Sequence, residues 1–408
     1  MSKLHDLITK LCPDGVPYRK LGEIEKDGII KLGRGKVISK KDIANNPGSY
    51  PIYSASAINN GKFGEYGDYM FDDIRLTWSI DGGGRFFYRD DEKYSVTNVC
   101  GWLKVLDENA FNPKFLFYVL TSQWSKLVFN YTIKAHPSVI RNTYDIPMVP
   151  LPVQSEVVRI LDAFTELEAE LEAELAGRKE QYEYYLDRLL DEKNLEAMDG
   201  KPVETKKLDE VFNLKNGYTP SKNNAEYWKN GDVNWFRMDD IRTNGRILSD
   251  SIQKVSMDGI KGGKLFEADS LIVSTSATIG EHALITVPFM CNQRFACLTR
   301  KPDYKPLLDM KFMFYYASKL DKYCLKNINQ GGFASVSMPA FKEFPITLPS
   351  LATQERVVDI LDRFDALTTS LTDGIPAEIA MRREQYEYYR ARLLDFPRLP
   401  ENSDSDSE

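Results

Sequence analysis

Three histidines (His5, His136, His282) and five cysteines (Cys12, Cys100, Cys291, Cys297, Cys324) are the residues from which a metal site, a disulfide framework or a thiol nucleophile would have to be built. Their spacing builds none of these. The histidines never stand in an H-x-x-x-H interval, and the cysteines are odd in number, scattered and without a C-x-x-C pair. The string Gly259-Ile260-Lys261-Gly262-Gly263-Lys264 lacks both the spacing and the hydroxyl residue of a phosphate-binding loop. The sequence holds no N/D-P-P-[FYW] amino-methylation motif and no glycine-rich cofactor loop behind a strand. Pro302-Asp303-Tyr304-Lys305 and Asp91-Glu92-Lys93 have some character of nuclease carboxylate strings, but acidic–basic strings are common on solvated surfaces. A chain of 408 residues without an active-site constellation reads as an adaptor or a reader, not an enzyme.

The elements that would position a reader show first in the charge. The whole chain sums to −7, yet its pattern falls into four blocks. Residues 1–150 carry +3, 151–200 carry −9, 201–343 carry +5 and 344–408 carry −6. Two mildly basic blocks alternate with two acidic ones. Binding to a polyanion depends on local positive charge, because the favourable step is counterion release at the contact surface. The acidic blocks can therefore be large and still stay off a nucleic acid. Composition, with 42% hydrophobic and 28% charged residues, is that of a globular chain long enough for two or more domains. Without an apolar run of about 18 residues or a secretory signal at Met1–Asp6, the reading is a cytoplasmic protein with no membrane partner.

The acidic blocks are copies of each other. Gln154, Val157-Val158, Ile160-Leu161-Asp162, Phe164 and Leu167 recur as Gln354, Val357-Val358, Ile360-Leu361-Asp362, Phe364 and Leu367. Gln181-Tyr182-Glu183-Tyr184-Tyr185 recurs as Gln385-Tyr386-Glu387-Tyr388-Tyr389, and Arg188-Leu189-Leu190-Asp191 as Arg392-Leu393-Leu394-Asp395. In the first copy Val157, Ile160, Leu161, Phe164, Leu167, Leu171 and Leu175 step by three and four, which predicts one long amphipathic helix from Gln154 to Asp191. The second copy should break at Asp373-Gly374-Ile375-Pro376, where proline disfavours helix before it and removes a donor. A single apolar stripe of this length needs a partner, and the two copies are expected to pack together, antiparallel.

The basic blocks share a fainter frame. Lys20-Leu21-Gly22-Glu23-Ile24 matches Lys207-Leu208-Asp209-Glu210-Val211, and Leu32, Gly35 and Ser39 have the spacing of Leu214, Gly217 and Ser221. Gly48-Ser49-Tyr50-Pro51-Ile52-Tyr53 parallels Gly231-Asp232-Val233-Asn234-Trp235-Phe236. Short β-rich runs and turn residues suggest irregular α+β globules. The fold class is thus α+β: two globules alternating with two long helices that pair as an antiparallel coiled coil, with a pseudo-twofold internal repeat. The expected organisation is a first globule over 1–150, a central helix over 151–200, a second globule over 201–343, a C-terminal helical region over 344–397 and a disordered acidic tail over 398–408.

These features resemble the specificity subunits of type I restriction–modification systems. The Gln…Ile-Leu-Asp-x-Phe openings and Gln-Tyr-Glu-Tyr-Tyr closings look like that family's conserved regions. Gly217-Tyr218-Thr219-Pro220-Ser221 with Tyr227-Trp228, Trp235 and Asp240-Ile241, and Ser274-Thr275-Ser276-Ala277-Thr278-Ile279-Gly280, are similar to parts of its target-recognition domains. Thr165-Glu166-Leu167-Glu168, Ala169-Glu170-Leu171-Glu172, Ala173-Glu174-Leu175-Ala176 is close to the tandem repeat of the type IC branch. The resemblance implies a non-catalytic subunit in which each globule reads one half of a bipartite, asymmetric site on double-stranded DNA. Two methylation subunits would dock on the helices, and restriction subunits would complete the nuclease. S-adenosylmethionine, Mg²⁺ and ATP would sit on those partners, with no cofactor in this chain. Each four-residue repeat adds about 6 Å while turning the helix ends by only about 40°, so repeat number should set half-site spacing.

Residues that touch DNA should be Arg, Lys, Asn, Gln, Ser or aromatic residues in loops of the basic blocks. The candidates are Arg34, Lys36, Tyr53, Ser54, Trp78, Arg85, His136, Ser138 and Arg141 in the first. In the second they are Tyr218, Ser221, Arg237, Arg242, Ser274, Thr275, Gln293, Arg294, Asn327, Gln330 and Ser335. Trp78 and Trp235 fit a core role equally well. Two rival readings use the same features: a coiled-coil scaffold without DNA specificity, favoured by the acidic total, and a self-contained enzyme such as a methyltransferase, disfavoured by the missing cofactor loop.

Overall fold

The computed structural model describes residues 2–56, 59–90, 93–130, 132–329, 334–370 and 372–400. Of the tail expected to be disordered over 398–408, residues 401–408 lie outside the described residues, as do Asp91 and Glu92, whereas Arg398 and Leu399 are held by the first unit, Leu399 N–H on the Val16 carbonyl at 3.0 Å and Arg398 on Asp145 at 3.3 Å. The chain divides into two compact units, Met1–Glu172 with Glu378–Glu408, and Ala173–Ala377. Residues 151–200 are thus not a separate body: the first half of the long helix belongs to one unit and its second half to the other.

The first unit is built on a four-stranded antiparallel sheet in the order Ile30–Arg34, Cys100–Val105, Arg75–Ser79, Phe86–Arg89. Beside it, Tyr50–Tyr53 pairs antiparallel with Lys62–Tyr66 and parallel with Ser95–Val96. The second unit repeats this plan. Phe212–Asn216, Phe295–Arg300, Ser270–Ser274 and His282–Ile285 form the corresponding sheet, with Ile247–Leu248 added parallel at its edge. Val233–Phe236 pairs antiparallel with Lys254–Val255 and parallel with Met290–Cys291. Register carries the correspondence down to single residues. Leu32, Leu103 and Leu76 stand in one row across the first sheet, and Leu214, Leu298 and Leu271 in the same row of the second.

The faint sequence frame has a physical basis at its ends. Lys20 and Lys207 each close a short antiparallel ladder and open a short helix, and the backbone N–H of each donates to the glutamate three residues on, Glu23 at 3.0 Å and Glu210 at 2.7 Å. Gly35 and Gly217 leave the first sheet strand at equivalent points. A Cβ there would sit 1.9 Å from the Val96 carbonyl and 2.2 Å from the Cys291 carbonyl, so only glycine fits either position. Ser39 caps a helix over Lys40–Asn45, whereas Ser221 leads into a 3₁₀ turn at Ala225–Trp228, and here the frames part.

The long helix runs unbroken from Leu151 to Leu189, and Gly177 sits in it on an exposed face with open space beside it. The second copy is broken as the proline predicts, into Leu351–Thr369 and Ile375–Leu393. The two copies pair antiparallel, as expected, so that opening meets closing. In the first unit the opening of the long helix meets the closing of the C-terminal copy: Phe164 stacks on Tyr389 at 5.4 Å, and Glu168 and Glu172 grip Arg383 at 2.6 and 2.5 Å. Because 164 faces 389 while 172 faces 383, these helices run antiparallel. In the second unit the roles exchange, and Tyr185 stacks on Phe364 at 5.4 Å. Opening meets closing twice, once in each unit.

Candidate nucleic-acid interface

In the second unit, the turns that leave one end of the sheets converge on two clefts. The larger, of about 740 Å³, is lined by Lys222, Trp228, Trp235, Arg237, Gln293 and Arg294 among others. The smaller, of about 310 Å³, shares Arg237, Asn292 and Arg294 with it and adds Asp239, Arg242 and Ser274. Local structure fixes these positions. Asn292 N–H donates to the Phe236 carbonyl at 3.0 Å, and its side-chain oxygen accepts from Arg294 N–H at 3.0 Å. Thr275 donates to the Arg294 carbonyl through N–H at 2.8 Å and through Oγ1 at 3.1 Å. Asp240 is buried, accepting from Arg237 N–H at 2.7 Å and Ile252 N–H at 2.6 Å, which sets the start of the helix Met238–Asn244.

The charges in these clefts are the informative feature. Many cations are engaged within the fold, as Lys20 on Asp145, Lys104 on Asp73 or Lys311 on Asp362. Arg242 and Arg294 are exposed, and among the described residues neither guanidinium has a partner. Lys222 is likewise exposed and unpaired among them. Arg237 has Asp239 as its acidic partner, at 3.6 Å. Unpaired cations around a concave polar surface suit an anion that brings its own acceptors.

The first unit carries the same edge with different residues. Thr97 N–H donates to the Tyr53 carbonyl at 2.9 Å, where the second unit has Asn292 on Phe236, so Ser54 occupies the place of Arg237. Ser54 shares a hydrogen bond with Thr97 at 2.8 Å. Arg34, the last residue of the strand Ile30–Arg34, and Lys36, on the loop that follows, are exposed, and the loop is held by Lys36 N–H on the Val96 carbonyl. Arg85 is exposed at the end of the turn after Arg75–Ser79, and His136 and Ser138 are exposed where Ala135 N–H meets the Ile80 carbonyl.

A family model, the type I restriction modification DNA specificity domain, matches residues 16–176 and again 200–381. The chain belongs to that family. The specificity subunit of the Escherichia coli type I restriction enzyme EcoprrI is 56% identical over 206 residues, which is 49% of this chain and 51% of that protein. The E. coli EcoR124I/EcoR124II specificity subunit is 36% identical over 318 residues, 76% of this chain and 73% of that one. The solved specificity subunit of the M. genitalium type I system shares the fold, with a TM-score of 0.52 at 16% identity over 93% of this chain and 96% of that one. A DNA-specificity domain present twice answers the scaffold reading, which gains nothing from these comparisons.

Within this specificity chain, four of the expected DNA-binding residues prove to be engaged in the fold. Trp78 is fully buried and donates to the Ala135 carbonyl at 2.7 Å; a Cβ on Gly101, opposite it in the ladder, would lie 2.1 Å from its ring. The second unit has Val273 opposite Ala296 at this point, so Trp78 with Gly101 is one solution of a shared core site. Tyr53 is 5% exposed because its ring lies 3.5 Å beneath the buried Arg89 guanidinium. Arg141 binds Glu25 through Nε at 2.5 Å and Nη2 at 3.2 Å. Ser274 is buried, with Oγ donating to the Ser276 carbonyl at 3.0 Å.

Other candidates serve the loops. Tyr218 hydroxyl accepts from Lys261 N–H at 2.6 Å and donates to the Gly259 carbonyl at 3.1 Å, Asn327 Nδ2 donates to the Tyr323 carbonyl at 2.9 Å, and the Ser221 carbonyl receives Trp228 Nε1 at 3.1 Å. Thr219 hydroxyl donates to the side-chain oxygen of Gln293. Ser335 bridges to Ser276, next to Thr275. Gln330 lies outside the described residues. Sequence reasoning missed Lys222, Asn292 and Asp239. Of these, Asn292 was legible in the string Cys291-Asn292-Gln293-Arg294, directly before two residues that were candidates.

The five cysteines are free and buried, and burial pushes the thiols of Cys100, Cys297 and Cys324 up to about 12, so they stay protonated at neutral pH. Among the described residues, no group of His, Cys, Asp and Glu could hold a metal ion, and no helix is long and apolar enough to cross a membrane.

Proposed function

We propose that the basic edge of each unit reads one half of a bipartite, asymmetric site on double-stranded DNA. The observation that carries this is the set of unpaired cations, Lys222, Arg242 and Arg294, around the clefts of the second unit. Arg34, Lys36, Ser54, Arg85 and His136 do the same work at the corresponding edge of the first. Two methylation subunits dock on the paired helices and carry S-adenosylmethionine, and restriction subunits bring the Mg²⁺- and ATP-dependent steps, all in the cytoplasm where the DNA lies. Arg242→Ala/Arg294→Ala, assembled with its methylation subunits, should lose at least tenfold in specific DNA affinity, because each good bidentate contact to a base is worth about 1–3 kcal/mol. Where either arginine neutralises a phosphate, its removal should also lower the slope of log K against log salt by about 1. Unchanged affinity and salt slope in filter binding would remove the clefts from the interface.

The tandem repeat then sets the distance between half-sites. Leu167, Leu171 and Leu175 are all half-buried along one stripe of the long helix, so a four-residue step preserves the apolar face. Deleting Ala169-Glu170-Leu171-Glu172 should shorten the spacer by about two base pairs, since about 6 Å of helix is removed against 3.4 Å per base-pair step. Methylation mapping that finds the same spacer would rule this role out.

A further inference from the structure

Asp239 stands out at the clefts of the second unit. It is an exposed carboxylate, its side chain 62% accessible, in a cleft whose other charged residues, Arg237, Arg242 and Arg294, are all cations. Its neighbour Asp240 is explained by the fold, buried and accepting two backbone N–H groups, whereas Asp239 has one partner, Arg237, at a loose 3.6 Å. A free carboxylate beside a phosphate backbone is repelled, and it weakens binding unless a donor meets it. The major groove presents such donors as the exocyclic amino groups of cytosine and adenine. Adenine places the N7 acceptor next to its amino group, and N7 would face a carboxylate with a lone pair. Cytosine offers N4 with a C–H, not an acceptor, beside it on its own ring, so it suits a carboxylate better.

We infer that Asp239 is a specificity-determining residue that accepts a hydrogen bond from the N4 amino group of a cytosine, while Arg237 beside it takes the O6/N7 edge of a guanine. This rests on the proposed reading of DNA by the second unit. The pair is a matched set: the guanidinium supplies donors to a base with two acceptors, and the carboxylate supplies an acceptor to a base with a donor. Asp239 carries the discrimination because Arg237 alone would bind a guanine without regard to that cytosine.

The test uses the full chain assembled with its methylation subunits, and maps methylated sites on a randomised duplex library for wild type, Asp239→Ala and Asp239→Asn. Wild type should mark one bipartite sequence. Asp239→Ala should relax a single cytosine position in one half-site, with discrimination falling on the order of tenfold and the other half-site untouched. Asp239→Asn should shift that position toward adenine, because a side-chain amide matches the N6/N7 edge of adenine. Relaxation only at a guanine would make Asp239 a positioning residue for Arg237 and overturn the inference. An Asp239→Ala complex that marks the wild-type sites at wild-type preference would also overturn it, while leaving the DNA reading intact. A wild-type complex that marks no defined sequence would instead bring down the DNA reading itself.

Discussion

The two units solve the same packing problem with the same buried polar groups and then part company at one edge. In the first, Gln154 is fully buried; its Oε1 accepts from Asn112 N–H at 2.8 Å and its Nε2 donates to the carbonyls of Ala110 and Val149 at 2.8 and 2.7 Å. In the second, Gln354 does the same for Asp309 N–H at 2.8 Å and the carbonyls of Leu307 and Pro349, both at 2.9 Å. Eight residues on, Asp162 binds Lys114 at 2.9 Å and Tyr118 at 2.5 Å, and Asp362 binds Lys311 and Tyr315, each at 2.6 Å. At the reading edge, by contrast, Ser54 answers Arg237 and Thr97 answers Asn292. Buried polar groups tolerate no substitute because each must find its partner. Exposed loop residues are free of that demand, and their differences can encode sequence.

The strongest way to break this comparison is to remove one glutamine. Gln354→Leu leaves the buried Pro349 carbonyl without a partner and strips the Asp309 N–H and the Leu307 carbonyl, nearer the surface, of theirs, which should destabilise the second unit by about 1–3 kcal/mol, the cost of one orphaned buried group. Gln154→Leu should do the same to the first unit. Hydrogen exchange followed along the full chain should show each substitution loosening its own unit, and loss of protection spread evenly over both would mean the repeats do not fold as equivalents.

The repeated glutamines, aspartates and tyrosines were legible in the sequence because they recur at a fixed offset, and so was the helix break at Pro376. Their partners were not, although Lys114-Phe115-Leu116-Phe117-Tyr118 and Lys311-Phe312-Met313-Phe314-Tyr315 form a duplicate that could have been found. The antiparallel pairing of the two copies was legible from the duplicated stripe, and opening against closing follows from it, whereas the contacts that hold each pair, such as Arg383 on Glu168 and Glu172, were not. Reading-edge residues were the least legible. Arg141 and Arg294 look alike in sequence, and only the position of Glu25 engages one and leaves the other free.

A smaller effect should come from the helix pair of the first unit. Arg383 bridges Glu168 and Glu172, the last residues of two successive repeats, and holds both near the surface. Exposed ion pairs are worth up to about 1 kcal/mol, so Arg383→Ala should lower the melting temperature by only a few degrees and less still at high salt. Its use is in sharpening the comparison: the second unit puts no arginine at this point of its own helix pair, where position 179 holds lysine. Exchange rates over 160–175 should rise in the variant while those over 355–369 stay fixed, and an equal rise in both would show that the helix pairs are not independent.

The smallest predicted difference lies in the first turns of the repeated helices, where the copies carry opposite charges. The first unit has Glu156, bound by Arg159 at 2.6 Å and Lys3 at 2.8 Å, and the second has Arg356 in its place. The hydrogen bonds from Arg159 and then Lys3 hold the Glu156 carboxyl down at about 2, against an ordinary value near 4.5. A carboxylate whose folded-state value is lowered contributes stability that is fully present above its unfolded value and disappears as the pH falls through the folded one. The contribution of Glu156 should therefore be complete above about pH 5 and be lost between roughly pH 4.5 and pH 2. Both partners are largely solvent-exposed, so water screens the pair and the effect is modest. Glu156→Gln should remove this part of the acid sensitivity over residues 151–161 and leave residues 351–361 as they were. Protection factors measured at pH 6 and pH 3 decide it, and a Glu156→Gln chain that loses protection on acidification as steeply as wild type would show that the pair does not stabilise the first helix.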